Sequence, residues 1–479
     1  MRVGIIDLGS NTTRLLVFDV RDGHSRLVEG LKDETRLASG MMKDGRIDED
    51  AIVRVLRAAG LFRDFCNALG VEKVTGVATA AIRDAANGRE IIDRIRKGCS
   101  LDIRIISGEE EGELDYCGVT NTMDLADGYI LDMGGASMEL VRVKDIALYS
   151  VTVIPYGTIT MSDKLSSKEG FGVLEKDIRK RLASAEKNDT LVGVGGTIRA
   201  IAKLDMKRKG YPLKLLHNYT MSAKDVDAIL KLLKGKSRGE IIRMGVSDDR
   251  SDLVLPGVTA LKIVMDALGT EELRISHTGI REGMLYRDIL KIKGAPLDMS
   301  VSDMMNFYGV NVGHARNVES IALNLFDILR KRHGGGEEER KLLSVASLLH
   351  DVGLAVGYYG HGDNGCSIIL SNGIYGLEHR EILKCALIVK LHTDDGLKGY
   401  GRILSRKDRR DVMRLGVLLR LAESMDITES GLVKVVSGDV SDGALHLRVE
   451  GEKRSIWSYG IERNSDLFSR VYGLKIVVD

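Results

Sequence analysis

The sequence predicts an α/β first half, an all-helical second half and a small α+β tail. Three observations carry that reading. Up to about residue 290, short β-like runs alternate with amphipathic stretches, the pattern of a layered α/β domain. Residues 300 to about 427 drop the alternation and carry apolar positions at helical spacing, as in NVESIALNLFDILRKR and RKLLSVASLLHDVG. From Leu432 alternation returns, in ALHLRVEG and LKIVVD.

The elements follow in chain order. In MRVGIIDLGSNTTRLLVFDV, an apolar run from Val3 to Ile6 stops at Asp7 and passes through the small polar turn Gly9, Ser10, Asn11, Thr12 and Thr13. It resumes from Leu15 to Val20. Such a turn serves an ordinary β-hairpin. With a carboxylate beside its N–H groups it also serves to hold a phosphate and its metal. In IDEDAIVRVLRAAGLFRDFCNALG, the residues Ile52, Val55, Leu56, Ala59, Phe62, Phe65 and Leu69 share one helical face, and Gly70 ends the helix. Further strands are expected at Lys73–Val77, Ile103–Ile106, Tyr129–Leu131, Leu140–Val143, Leu191–Val194 and Leu273–Ser276. Lys293 to Leu297, containing one of four prolines, reads as a linker.

One motif occurs twice. GIIDLGSNTTRLLV and YILDMGGASMELV share the order strand, Asp, apolar residue, Gly, small polar turn, strand, at positions 5 to 17 and 129 to 141. A third glycine-rich turn, LVGVGGTIRAIAKL, opens directly into a helix. Two such hairpins and this loop would let two α/β halves grip one phosphate chain from opposite sides of a cleft.

Composition limits the function classes. Lys and Arg total 70 against 69 for Asp and Glu, so no global field favours nucleic acid or a membrane surface. The five cysteines are scattered without a C-x-x-C pair, which suits reduced thiols packed in cores. The first twenty residues read as a strand pair rather than a signal peptide, and no apolar run reaches the roughly 20 residues of a membrane span. A soluble, cytoplasmic protein is the expectation.

IDLGSNTTRLLV, TAAIRDAANG, ISGEEEGELDYCGV, LDMGGASMEL, VGVGGTIRAIA and the pair LPGVTAL with HTGIREGMLYRDIL stand in the order and spacing of a known family. In these stretches, over residues 3 to about 290, the chain resembles the actin/hexokinase/heat-shock-chaperone superfamily. More closely, it resembles the exopolyphosphatase/guanosine pentaphosphatase family. The resemblance implies an actin-like, ribonuclease-H-like duplicated two-lobe half, with lobe I at 1–122 and lobe II at 123–296. A helical HD-like domain at 300–430 and a small α+β domain at 431–479 follow. It further implies a homodimer acting on inorganic polyphosphate or guanosine pentaphosphate.

The residues suit that chemistry. Hydrolysing a phosphoanhydride requires neutralised oxygens, a water in line with the leaving oxygen, and an acceptor for its proton. The turns Gly9, Ser10, Asn11, Thr12 and Gly134, Gly135, Ser137 supply donors without bulk. Gly193, Gly195, Gly196 and Thr197 add the positive end of a helix. Asp7, Asp132 and Glu139 offer hard oxygens to Mg²⁺. Arg83 can fork onto phosphate. The resemblance assigns water activation to the second glutamate of an S-G-x-E-E motif, here Glu111, with Glu110 in reserve, and maps the metal-side acids onto Asp132 and Glu139. Where the family usually reads D-I-G-G-G-S-T-E, this chain places Ala136 and Met138, a change expected to alter affinity or substrate preference.

In the helical half, His314, His350, Asp351 and Asp426 fall in the order H…HD…D of HD-type metal phosphohydrolases. Such a set can take a divalent transition metal such as Mn, Fe, Ni or Zn. Only His361 and His392 remain nearby, and Cys366 stands near another family histidine position, so a two-metal site is not expected. The basic stretches KRKGYPLK (207 to 214) and GRILSRKDRRDVMR (401 to 414) read either as solvated surface or as a path for a long anion. Alternatives to an exopolyphosphatase are a guanosine pentaphosphate hydrolase, an actin-like kinase, a non-catalytic polyphosphate sensor, and a separate phosphohydrolase in the helical half.

Overall fold

A computed structural model describes residues 1–42, 44–164, 168–394, 396 and 403–478. Two compact units result, one of Met1–Tyr211 with Leu216–Pro296, the other of Pro212–Leu215 with Leu297 onward.

The first unit holds two sheets of one topology. In the first, β1 (Arg2–Leu8), β2 (Thr13–Arg21) and β3 (His24–Asp33) form an antiparallel ribbon. β4 (Lys73–Ala78) and β5 (Ile103–Ile105) continue it in parallel, giving the order β3-β2-β1-β4-β5. In the second, β6 (Gly128–Met133), β7 (Met138–Lys144) and β8 (Ala147–Ile154) repeat the ribbon. β9 (Thr190–Val194) lies parallel to β6, and β10 (Thr220–Ser222) forms the edge beyond β11 (Glu272–Ile275). The duplicated motif is thus two copies of one hairpin. In the first copy Asp7 pairs across the ladder with Arg14; in the second Asp132 pairs with Glu139. This is the actin-like, two-lobe arrangement.

All six further strands occur where expected, within a residue or two at each end. Three details differ. β1 does not stop at Asp7 but continues through Leu8, so Asp7 is a strand residue and the turn is Gly9 to Thr12. Gly193 lies inside β9, opposite Leu131, and donates nothing to a turn. The third ribbon strands, β3 and β8, were not anticipated. The helix Glu49–Ala68 starts at Asp48, whose carboxylate accepts from Ala51 N, and ends before Gly70 at φ +62°. Its Ile52, Val55, Ala59 and Phe62 enter the core below the first sheet.

Among the described residues the second unit is helical between Leu297 and Met425, with no strand. Its sheet follows, with β12 (Lys434–Ser441), β13 (Ala444–Glu450) and β14 (Lys475–Val478) in the order β12-β13-β14. Val435, Leu447, Trp457 and Phe468 of this tail share one continuous core with Leu325, Phe326 and Leu418 of the helices. Among the described residues, no helix is long and apolar enough to cross a membrane. All five cysteines are free.

Candidate active site

Both hairpin turns point into one cleft of the first unit, and the glycines explain their tightness. A Cβ on Gly9 would lie 2.8 Å from Thr12 O, and one on Gly134 would lie 2.8 Å from Ser137 O, the same close approach in both copies. The third turn needs Gly195 for its conformation, φ +105°. A Cβ there would also stand 3.0 Å from Asp132 Oδ1. Gly195 caps the 14-residue helix Gly196–Lys209, whose free N–H groups and dipole favour an anion. Asp7, Gly9, Ser10, Asn11, Thr12, Gly134, Gly135, Ser137, Gly195 and Gly196 all line the cleft. Thr197 does not; it is buried behind, 3.4 Å from the Arg250 guanidinium.

The acids converge. Ser107 caps the helix Gly108–Thr120, its hydroxyl accepting from Glu110 N at 3.1 Å. Consecutive helical residues diverge by about 100°, so only one of the two glutamates can face the cleft. Glu111 does so, buried, with Arg83 donating to its Oε2 at 3.0 Å. Glu110 faces outward, pairing with Arg104 at 2.6 Å and Arg287 at 3.0 Å, which hold its carboxyl below the usual range. The reserve role expected for Glu110 is therefore corrected. Arg83 is likewise occupied, bound to Glu111 and to Asp84 at 3.1 Å, and serves first as the counter-ion of Glu111.

Glu111, Asp132 and Glu139 bring one oxygen each within 4.8 Å of one another, all buried. Ser137 donates to Glu139 Oε1 at 2.7 Å, while Glu139 Oε2 and Asp7 Oδ1 find no partner. Burial and then the charge of Asp132 push Glu139 up to about 8. Burial and then Asp7 push Asp132 up to about 6. Glu111 is raised well above its ordinary value by burial and by Glu139 and Asp132, against the pull of Arg83. Buried, mutually repelling oxygens short of donors fit a hard divalent cation.

The cleft also carries cations, which were not singled out from the sequence. Arg14, Arg199, Arg250 and Arg281 line it. Among the described residues Arg14, Arg199 and Arg281 make no ion pair, and Arg250 approaches Asp249 at 3.5 Å. Burial and then the neighbouring guanidiniums push Arg14 down to about 10 and Arg199 down to about 9. A signal was available: Arg14 stands opposite Asp7 in the first hairpin, and Arg199 lies one turn into the helix after the third glycine loop. Asp115, one helical turn beyond Glu111, was missed too and also lines the cleft.

Of the basic stretches, Arg208 and Lys209 are neutralised locally by Asp205 and Asp225. Residues 401 and 402 of the second stretch lie outside the described residues.

The second unit gathers its histidines around Asp351. His314 Nε2 and His350 Nε2 lie 3.7 and 3.4 Å from Asp351 Oδ2, and His361 Nε2 lies 3.8 Å from Oδ1. His392 faces His361 at 2.8 Å between their Nε2 atoms. Each Nδ1 faces an acceptor: Asp426 for His314, and the carbonyls of Ser347, Tyr358 and Val389 for His350, His361 and His392. With the Nδ1 positions donating, four Nε2 lone pairs converge on one carboxylate. Asp351, His361 and His392 bring one ligand atom each within 4.8 Å of one another, as do His314, His350 and Asp351, so that the two groups share Asp351. Asp426 has both oxygens engaged, by His314 and by Gly431 N, and orients His314.

Comparison with known proteins places this geometry. Family models match residues 16–292, as the Ppx/GppA phosphatase family, and residues 298–439, as Ppx/GppA phosphatase, domain III. The crystal structure of the Aquifex aeolicus family member is 27% identical, with 61% of this chain and 98% of that chain covered, at a TM-score of 0.53. An exopolyphosphatase from Cytophaga hutchinsonii shares the fold at 24% identity, with 62% and 100% covered and a TM-score of 0.55. Fold and site together define a phosphoanhydride hydrolase on an actin-like frame. The chain belongs to the Ppx/GppA phosphatase family.

Proposed function

We propose that this protein is a Mg²⁺-dependent exopolyphosphatase, removing terminal orthophosphate from inorganic polyphosphate. The observation that carries the reading is that a buried carboxylate cluster, Glu111, Asp132 and Glu139, meets in one cleft four arginines, of which Arg14, Arg199 and Arg281 make no ion pair among the described residues. A terminal phosphate would sit at the acids, and the chain behind it along Arg14, Arg199, Arg250 and Arg281. Asp7, Asp132 and Glu139 would hold Mg²⁺, which supplies charge neutralisation at the phosphate oxygens. The glycine turns donate N–H groups to the same oxygens. Glu111 accepts a proton from the attacking water as the new P–O bond forms and the bond to the chain's next oxygen breaks. Arg83 keeps Glu111 aimed.

Phosphate release from long polyphosphate, tripolyphosphate, guanosine pentaphosphate and ATP, measured side by side, tests the assignment. Fastest turnover on long chains is expected; release from guanosine pentaphosphate alone overturns it. That second substrate is favoured by one feature. Beside Arg14, Arg199 and Arg250, a side cavity with apolar walls at Leu27, Leu31, Leu216 and Val246 has the chemistry to take a base. Transfer to an acceptor, yielding ADP from ATP, would mark a kinase, and tight Mg²⁺-dependent binding without release a sensor.

For the second unit the reading is a transition-metal site on His314, His350, Asp351, His361 and His392, serving a separate phosphohydrolase. The converging lone pairs support it. Metal analysis of the full chain should find Mn, Fe, Ni or Zn in the wild type and a loss in Asp351→Ala.

A further inference from the structure

We propose that Asp115 is a further cation ligand of the cleft, acting with Asp132; the inference rests on the Mg²⁺ reading given above. Asp115 follows Glu111 by four residues on the helix Gly108–Thr120 and so lies on the same face, one turn deeper. It is fully buried and lines the cleft. Neither carboxylate oxygen has a hydrogen-bond donor from the protein, and the residue shares the lining of the cleft with Asp132 and Glu111. Gly279 lies against the other flank, where a Cβ would come within 3.1 Å of Asp115 Oδ1.

A structural role does not account for such a residue. Burying a carboxylate without a partner is unfavourable, whereas a leucine packed at the same place would be favourable. Asp205 and Asp408, both buried elsewhere, are supplied with donors. Asp205 takes Tyr219 Oη at 2.8 Å together with Arg208 and Lys209, and Asp408 takes Arg380 and the Ser405 amide. Among the described residues, carboxylates with an orphaned buried oxygen are Asp7, Asp115, Glu139 and Asp411. Asp7 and Asp115 line this cleft, and Glu139 clusters with its Glu111 and Asp132. Oxygen donors left free around one cavity are what a hard cation needs, and Asp115 contributes two.

The test uses the full chain and reads binding rather than turnover. Thermal melting in EDTA and across a Mg²⁺ series, with Mn²⁺ titration by calorimetry, is compared for wild type, Asp115→Asn and Asp115→Leu. In wild type the melting temperature should rise with Mg²⁺. In both variants the half-saturating concentration of either ion should increase by about tenfold or more, the scale on which metal sites respond to lost support. Asp115→Leu should melt above wild type in EDTA, because a buried acid has been removed. Wild-type ion affinity in both variants would overturn the proposal. A wild type with no ion-linked shift at all would overturn the Mg²⁺ reading, and this proposal with it.

Discussion

Glu111 and Glu110 show how far a single side chain can be read. Three glutamates in a row are interchangeable as letters, and only the family resemblance favoured the last of them. The structure separates them by helix phase: Glu111 turns inward to Arg83, Glu110 outward to Arg104 and Arg287. Replacing Glu111 by Gln should preserve folding and Mg²⁺ binding and cut turnover by roughly 10²–10⁴-fold, the scale of a lost general base. A steady-state rate close to wild type would remove Glu111 from that role. The acids also predict how the metal-free protein responds to pH. Glu139 lies near 4.5 in the unfolded chain and about 8 in the fold, so between those values the native state holds a proton that the unfolded state has lost. Stability contributed by the protonated group is therefore complete below the lower value and declines as pH rises through the upper one. Melting in EDTA should fall from pH about 5 to about 8.5, and saturating Mg²⁺ should flatten the slope, because the ion requires the ionised acids.

At the scale of elements, legibility followed turn chemistry and periodicity. The paired hairpins, the helix Glu49–Ala68 and the parallel strands were visible because apolar runs alternate with glycine and small polar residues. β3 had a signal that went unused: Asp22 and Gly23, both at positive φ, form the two-residue turn that such a dipeptide favours. β8 had none, since its turn places Asp145 and Ile146 at positive φ, and a β-branched residue is a poor predictor of that conformation. Helix packing was equally hidden. Gly283, in the helix Ile280–Met284, lies against the helix that carries Glu111, where a Cβ would come within 1.9 Å of Leu114 O. Gly283→Ala forces the two backbones apart, and overpacking of this kind costs about 1–3 kcal/mol or more. A lower denaturant midpoint with an unchanged m-value is the expected result.

Over the whole molecule, the near balance of 70 basic against 69 acidic residues conceals a local separation of charge. Composition excluded a global field for polyanions and was silent about four arginines from distant stretches meeting in one cleft. Their meeting depends on the sheet order and helix placement of both lobes, which no window of sequence contains. Binding of a long polyphosphate there should weaken as ionic strength rises, since attraction reaching out of the cleft to an approaching anion is screened over about 10 Å at 0.1 M salt. Arg199→Gln should raise the KM more than it lowers kcat, and should make the KM less sensitive to salt. An unchanged KM at low salt would place the chain elsewhere.

The two hairpins carry a last consequence. Copies that had both kept Glu139's carboxylate, or both kept Arg14's guanidinium, would treat the two ends of a bound anion alike. With one of each, the cradle has a polarity that its ligand lacks. A polymer of identical phosphates has no head or tail in solution; were it the substrate, as proposed above, it would acquire one on entering this cleft, and position along a featureless chain would become something a protein can read.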